Sequence, residues 1–379
     1  EAFSASDADT SDVPTYAIAS QPTEGSVSID PANNTQFIFD PGTDFQDLAD
    51  GETRNVTFTY PADDGNVEDN SGSEPATVTV SVTGVNDNPM ATADDGDGFI
   101  TDENTAFTTD SVLTNDTDVD TTDTLSAVNL DDTGTQGIVT DNGDGTFNYD
   151  PNGQFEALGS GESATDEFSY TVDDGNGGTD TTTVTVTING ANDAPVVAAP
   201  LTEDTNEDAA TFSLNLLSGA TDADGDTLSV DAGSFTDTSG DGDGITLNGN
   251  SLDIDPNAYN SLADGEQEIV QVSYSIVDGN GGTVTQTADI IIDGRNDNPT
   301  VAAPLTTTAT EDDDGFSLDL LEGATDVEAQ TLSVTNYAVT SGNDTGLTLN
   351  GNSLDINPNA YNNLSKGQQA DSSKAKRER

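Results

Sequence analysis

One six-residue segment returns three times, as Gly84-Val85-Asn86-Asp87-Asn88-Pro89, Gly190-Ala191-Asn192-Asp193-Ala194-Pro195 and Gly294-Arg295-Asn296-Asp297-Asn298-Pro299. Its aspartates lie 106 and then 104 residues apart. A period of about 100 residues is too long for a solenoid and suits a tandem array of sandwich-sized domains. Each copy follows an alternating run, at residues 78–82, 184–188 and 288–292. Each ends in proline, which biases the residue before it to extended backbone. The segment therefore marks a module boundary. It also gathers oxygen ligands: one carboxylate and one or two side-chain amides.

Residues 85–190 hold the most complete repeat. Apolar or alternating runs at 101–113, 125–130, 137–140, 146–149, 167–172 and 179–188 are separated by turn sequences, among them Asp141-Asn142-Gly143-Asp144-Gly145 and Asp173-Asp174-Gly175-Asn176-Gly177-Gly178. Asn-Gly and Asp-Gly are strong hairpin signals. About seven short strands in about 100 residues predict an immunoglobulin-like antiparallel β-sandwich. Residues 191–294 repeat the pattern, with Asp222-Ala223-Asp224-Gly225-Asp226 matching the acidic loop around Asp118 and Asp120, and Tyr259 at the aromatic corner. The segment Leu247-Asn248-Gly249-Asn250-Ser251-Leu252-Asp253-Ile254 recurs as Leu349-Asn350-Gly351-Asn352-Ser353-Leu354-Asp355-Ile356. Residues 1–84 read as a repeat lacking its first strand. Residues 295–379 read as one lacking its last strands, with a basic tail at 366–379 that holds five of the seven basic residues. Two readings of these ends stand. Either the chain is a stretch of a longer array, or its open edges accept strands from like chains and build a homo-polymer. The tail either docks on an acidic neighbour or is a disordered terminus.

Charge narrows the function. The formal net charge is −65, from 72 acidic and 7 basic residues, with 32% hydrophobic content. That combination ordinarily signals disorder. Here the apolar residues sit in alternating runs at repeating positions, as half-buried strands require. Between residues 90 and 193 there are 23 acidic residues and no basic one, so these carboxylates face water or bind cations. Without counter-ions such modules are only marginally folded, because like charges oppose compaction. There is no Cys and no His, which removes disulfides, zinc sites and Cys- or His-based catalysis. Lys is absent before Lys366, so a Lys–Asn isopeptide crosslink is impossible in the first three repeats. Nucleic-acid binding is disfavoured for lack of Lys and Arg. No apolar run is long enough to insert in a membrane. The N-terminus lacks the basic region and apolar core of a signal peptide, which leaves targeting removed or the chain a fragment.

The linker oxygens belong to a larger set. Calcium takes six to eight oxygens. Asn86, Asp87 and Asn88, Asn192 and Asp193, or Asn296, Asp297 and Asn298 supply only some. The acidic loops offer Asp118 and Asp120, Asp222 and Asp224, Asp7 and Asp9, and Asp326. An acid ahead of the first strand offers Glu103, Glu207 or Glu311. Turn chemistry explains Asn, Asp and Pro in a linker. It does not explain why loop acids and the glutamate recur in step. The chain is therefore expected to bind Ca2+ at its joints. An EF-hand is rejected at Asp222, because its twelfth position is Gly233. Asp173, Asp174 and Asp278 are taken as turn residues.

The Asn-Asp-Asn-Pro linker, the paired Asp-Ala-Asp and the glutamate before the first strand resemble the calcium-ligand set of cadherin repeats. The Asp-Gly-Asn-Gly-Gly hairpin and the period resemble bacterial cadherin-like (tandem-95 type) repeats of large secreted RTX-type adhesins. The resemblance runs to about residue 364. It implies tandem immunoglobulin/cadherin-like sandwiches in a linear array, calcium at the joints, type I secretion to the cell surface, and roles in adhesion and biofilm. Three departures stand out. The cadherin Asp-Arg-Glu element has no match, Ala194 replaces one linker amide, and Asp326-Val327-Glu328-Ala329-Gln330 predicts a weaker site.

Every repeat carries the same acids, which argues for structure over catalysis. A calcium-stiffened extender on the order of 130–160 Å long is expected, from strands of about ten residues at ~3.3 Å each. A strand-exchanged filament is the first alternative. A carbohydrate-binding module is the second, and the absence of Trp with 6% aromatic content counts against it. A halophilic source is a rival explanation of the acidity.

Overall fold

The structure is a computed structural model, and it describes residues 1–7, 13–65, 73–240 and 242–362. The tail at 366–379 and Asp9 lie outside the described residues. The chain forms two compact units, Glu1–Asp193 and Ala194–Arg379. The described residues form strands and short 3₁₀ turns, with no α-helix.

In the first unit, residues 85–190 form seven strands. Ile100–Asp102, Thr179–Asn189, Ser163–Asp173 and Ser126–Asp131 make a four-stranded sheet in that order. Ile138–Asp141, Phe147–Asp150 and Phe107–Thr108 make a three-stranded sheet. The long hairpin at the centre alternates as its sequence demands. Phe168, Tyr170 and Val172 are buried against Val184, Val186 and Ile188, while Ser169, Thr171 and Thr183 face outward. Each large side chain fully buried this way contributes about 1.5–3 kcal/mol. One pairing departs from the antiparallel expectation: Ile100–Asp102 runs parallel to Thr179–Asn189. Ile100 pairs with Thr187 and Asp102 with Asn189, so both strands advance together toward the outgoing linker. Ahead of this, residues 1–84 centre on an antiparallel hairpin of Thr53–Tyr60 and Ala76–Thr83. It packs an aromatic core of Phe3, Phe37, Phe58 and Tyr60.

The second unit repeats the design. Leu201–Asn206, Thr283–Asp293, Gln267–Val277 and Ser229–Asp237 form the four-stranded sheet, and Phe212–Asn215, Ser251–Ile254 and Ile245–Asn248 the three-stranded one. Leu216, Leu252, Ile254, Ile276, Ile290 and Ile292 fill the space between. Residues 295–362 keep the three-stranded sheet, Phe316–Asp319, Ser353–Ile356 and Leu347–Asn350. No four-stranded counterpart occurs there among the described residues.

Candidate metal centres

The linker glycines fix where each joint begins. A Cβ on Gly84, Gly190 or Gly294 would lie 2.2, 2.2 or 2.3 Å from the carbonyl oxygen of Leu48, Leu158 or Ala263. Their amides donate to the carbonyls of Glu52, Glu162 and Glu266 at 2.8, 2.9 and 2.9 Å. The chain leaves each last strand at a pinned residue, and the Asn-Asp pair starts two residues on.

In the first unit, the linker at Asn86–Asn88 meets the acidic loop and the last hairpin of the repeat that follows. The Asp87 amide donates to Asp120 Oδ2 at 2.8 Å, and the Asp120 amide to Asp118 Oδ1 at 2.9 Å. Asn86 Nδ2 donates to Asp174 Oδ2 at 2.8 Å. Asp118, Asp123 and Asp174 each offer an oxygen within 4.8 Å of the other two. Asn86 Oδ1, Asp118 Oδ2, Asp120 Oδ1 and Asp123 Oδ2 are buried and accept no hydrogen bond. Buried acceptors are almost always bonded, and an uncompensated carboxylate is costly. Burial, foremost, and the neighbouring acids hold the Asp120 carboxyl above its ordinary range, against the bond from the Asp87 amide. Carboxylate and amide oxygens are of the kind that a hard cation takes.

Asp174, taken from the sequence as a turn residue, does shape the turn and also joins the acid cluster. Its Oδ1 does turn work, accepting the amides of Asn176, Gly177 and Gly178 at 2.7, 2.9 and 3.0 Å. Its Oδ2 faces the acid cluster, and the side chain is buried. Burial pushes its pKa up, but the bonds from Asn86 and the three amides hold it low overall. Gly178 makes this possible, because a Cβ there would sit 2.2 Å from Asp174 Oδ2 and 2.9 Å from Asn86 Nδ2 and Asn88 Oδ1. The missed signal was the Asp-Gly-Asn-Gly-Gly hairpin recurring in step with the linker. Asp123 was also missed, being one of many loop acids. Asp7, in the first acidic loop, is exposed.

In the second unit, Glu207, Asp297 and Glu328 form a cluster of the same dimension, within 4.8 Å. Glu207 is 0% exposed; its Oε1 accepts the Arg295 amide and its Oε2 accepts nothing. Burial is the main cause raising its pKa. Glu328 Oε1 accepts the Asp297 amide, and its Oε2 is buried and unbonded. Glu328 thus accepts the linker-aspartate amide as Asp120 does, and the segment Asp326-Val327-Glu328, where a doubtful or weaker site is expected, contributes to a three-carboxylate cluster. Asp326 shapes the loop, its Oδ1 accepting the Gln330 amide at 3.1 Å. Gln330 Nε2 donates to Asn296 Oδ1 at 3.0 Å, and Asn296 and Asn298 are exposed, outside the cluster.

The remaining candidates divide between the units. In the first, Glu103 is buried and accepts the Ala191 amide at 2.9 Å, across the same 88 residues that separate Glu207 from Arg295. Each of these glutamates therefore serves the linker that closes its own repeat. Asn192 Nδ2 donates to the Asp193 carbonyl at 3.0 Å. In the second unit, Asp222, Asp224 and Asp226 bring oxygens within 4.8 Å, with Asp222 Oδ1 accepting the Asp224 and Asp226 amides. Asn280 Nδ2 donates to Asp226 Oδ2 at 2.7 Å. Glu311 is half-buried with Oε2 unbonded, and no linker amide meets it among the described residues.

Repeated sandwiches with carboxylates gathered at their linkers define a class of tandem β-sandwich modules. Residues 86–190 match the model of the bacterial cadherin-like domain, and residues 192–291 that of the bacterial Ig domain. Each match is confined to its own repeat. Among solved structures it resembles mouse cadherin-23 EC22-24, at 16% identity and TM-score 0.51, covering 78% of this chain and 90% of that one. It also resembles the protocadherin gammaB4 extracellular domain, at 12% identity and TM-score 0.51, covering 90% of this chain and 55% of that one. These likenesses show a shared fold. No curated protein matches the chain.

Proposed function

We propose that the repeats are calcium-tied extender modules of a bacterial cell-surface adhesin, acting outside the cell in adhesion or biofilm formation. One observation carries the reading: buried carboxylate oxygens without donors stand beside linkers in both units, at Asp118, Asp120 and Asp123 and at Glu207 and Glu328. Carboxylates, amides and carbonyls are ligands for a hard cation. Their irregular mix of Asp, Glu and Asn suits calcium, which tolerates variable geometry, better than magnesium, which demands an octahedron. Asn86, Asp118, Asp120, Asp123 and Asp174 would hold an ion in the first unit, and Glu207, Asp297 and Glu328 in the second. The bound ion supplies charge neutralisation and nothing reactive. Without it the acids repel one another and the linker loosens; with it the linker is tied to loop and hairpin.

Extracellular calcium modules bind at ~10⁻⁴–10⁻³ M. Filling a site at ten times Kd adds about 1.4 kcal/mol, a large share of a marginal repeat's stability. The partners of such modules are neighbouring repeats. Calorimetric titration of the metal-stripped chain tests the reading. Saturable binding of several calcium ions in that range, with weaker magnesium binding, supports it. Heats no larger than dilution contradict it.

A further inference from the structure

A second group of acids lies away from the linkers, in the core of residues 85–190. Tyr170 is fully buried, and three oxygens crowd its hydroxyl. Asp94 Oδ2 and the Val112 carbonyl are each at 2.9 Å, and Asp116 Oδ2 is at 3.1 Å. Asp94 is 3% exposed and Asp116 is 9% exposed. A phenol has one hydrogen to give, so it cannot serve two carboxylates and a carbonyl at once. Asp116 has other help, since its Oδ1 accepts the Thr92 amide at 2.8 Å. The Asn115 side chain donates to the Thr92 and Ala93 carbonyls beside the group. Residues 90–193 contain no Lys or Arg to neutralise the group. The remaining charged groups are acids: Asp95 adjoins Asp94, and Asp180 lies beyond Asp116, accepting the Ala91 amide.

The next repeat shows what the fold itself requires. Tyr274 holds the place of Tyr170 and donates to the Leu216 carbonyl at 2.9 Å, the counterpart of Tyr170 to Val112. Leu201 pairs with Ala288 at the register where Asp94 pairs with Val184. Ala220 stands where Asp116 does, beside the Val196↔Thr221 pair that matches Met90↔Thr117. The tyrosine-to-carbonyl bond is the common element. The two acids are additions to one repeat.

We propose that Asp94 is the proton-holding member of a buried lock. In mildly acid solution its carboxyl donates to Tyr170 Oη, whose own hydrogen is shared between the Val112 carbonyl and the Asp116 carboxylate. As pH rises the proton leaves, two anions face one hydroxyl, and residues 85–190 open more readily. Burial is the main cause that pushes Asp94 up to about 6, with Asp116 and Asp95 adding to it and the bonds from Tyr170 and Asn115 opposing it. A carboxyl raised in the folded state gives stability that is full below its unfolded pKa and is lost as pH rises through the folded one.

The test is hydrogen exchange on the full chain in EDTA, with wild type and Asp94→Asn compared at pH 5 and 7.5 after correction for intrinsic rates. Asparagine supplies a permanent donor. Between those pH values a shift from 3.8 to about 6 changes opening by roughly tenfold. Peptides of Ser163–Asp173 and Thr179–Asn189 are expected to lose about tenfold more protection in wild type than in the variant. Peptides of Gln267–Val277 and Thr283–Asp293 should respond alike in both. Equal pH slopes in the two proteins overturn the proposal. Carbon-13 titration of the wild-type carboxyls decides it without any variant: Asp94 titrating well above the other aspartates supports the lock, and Asp94 titrating among them overturns it.

Discussion

The linkers at 86–88 and 296–298 read identically, as Asn-Asp-Asn, yet their buried acids come from opposite sides. At the first, Asp118, Asp120, Asp123 and Asp174 all belong to the repeat that follows. At the second, the fully buried acid is Glu207 of the repeat that precedes, joined by Glu328 from the one that follows. A constant linker is thus met by two different sets of acids, one anchored on a loop and hairpin, the other on the strand-entry glutamate. What recurs physically is one bond: a carboxylate accepting the linker aspartate's own amide, from Asp120 or from Glu328. That bond orients the linker.

The comparison is broken most forcefully at Asp174. Asp174→Ala removes an acceptor of three amides together with a cluster carboxylate. It is expected to cost the first unit about 3 kcal/mol in calcium while leaving the second unchanged, read by urea unfolding followed with hydrogen exchange. A loss shared by both units would dissolve the distinction. Glu207→Gln should invert with conditions. Its raised pKa means the ionised form is a burden without metal, so stability falls as pH rises through that pKa. At pH 7 in EDTA the glutamine variant is expected to be more stable than wild type, and in calcium less stable by about 1.4 kcal/mol. Denaturation curves that keep one order in both buffers would contradict the ligand role. Gly178→Ala pushes a methyl group onto Asp174 and Asn86. It should weaken calcium binding in the first unit about tenfold, or about 1.4 kcal/mol, by calorimetry. The smallest effect is expected at Ala329, held at φ 58° where the preceding repeat has Gly225 at φ 75°. Ala329→Gly should stabilise residues 295–362 by up to about 1 kcal/mol in a thermal melt, sharpening the Glu328 loop.

The strand pattern of residues 85–190 was legible because burial alternates strictly along both long strands. The recurring linker located the joints for the same reason that it forms them, since glycine alone fits against the Leu48, Leu158 and Ala263 carbonyls. The ligand partners were harder to read. Asp174 looked like turn chemistry because one of its oxygens does that work, and a sequence does not show where the other points. Glu328 looked like a lapse from Asp-x-Asp, although a longer side chain reaches the same amide. Asp94 and Asp116 gave no sign, because a buried acid and a solvated one are the same letter in a chain this acidic. The parallel pairing of Ile100–Asp102 follows from chain entry, which no local pattern encodes.

The most direct test of calcium-tied linkers is a thermal melt of the chain in EDTA, in 2 mM calcium, and in 2 M KCl with EDTA. A large rise in melting temperature in calcium, not matched by KCl, is the predicted result. Equal stabilisation by KCl would mean that the acids act as general surface charge, and it would contradict the account.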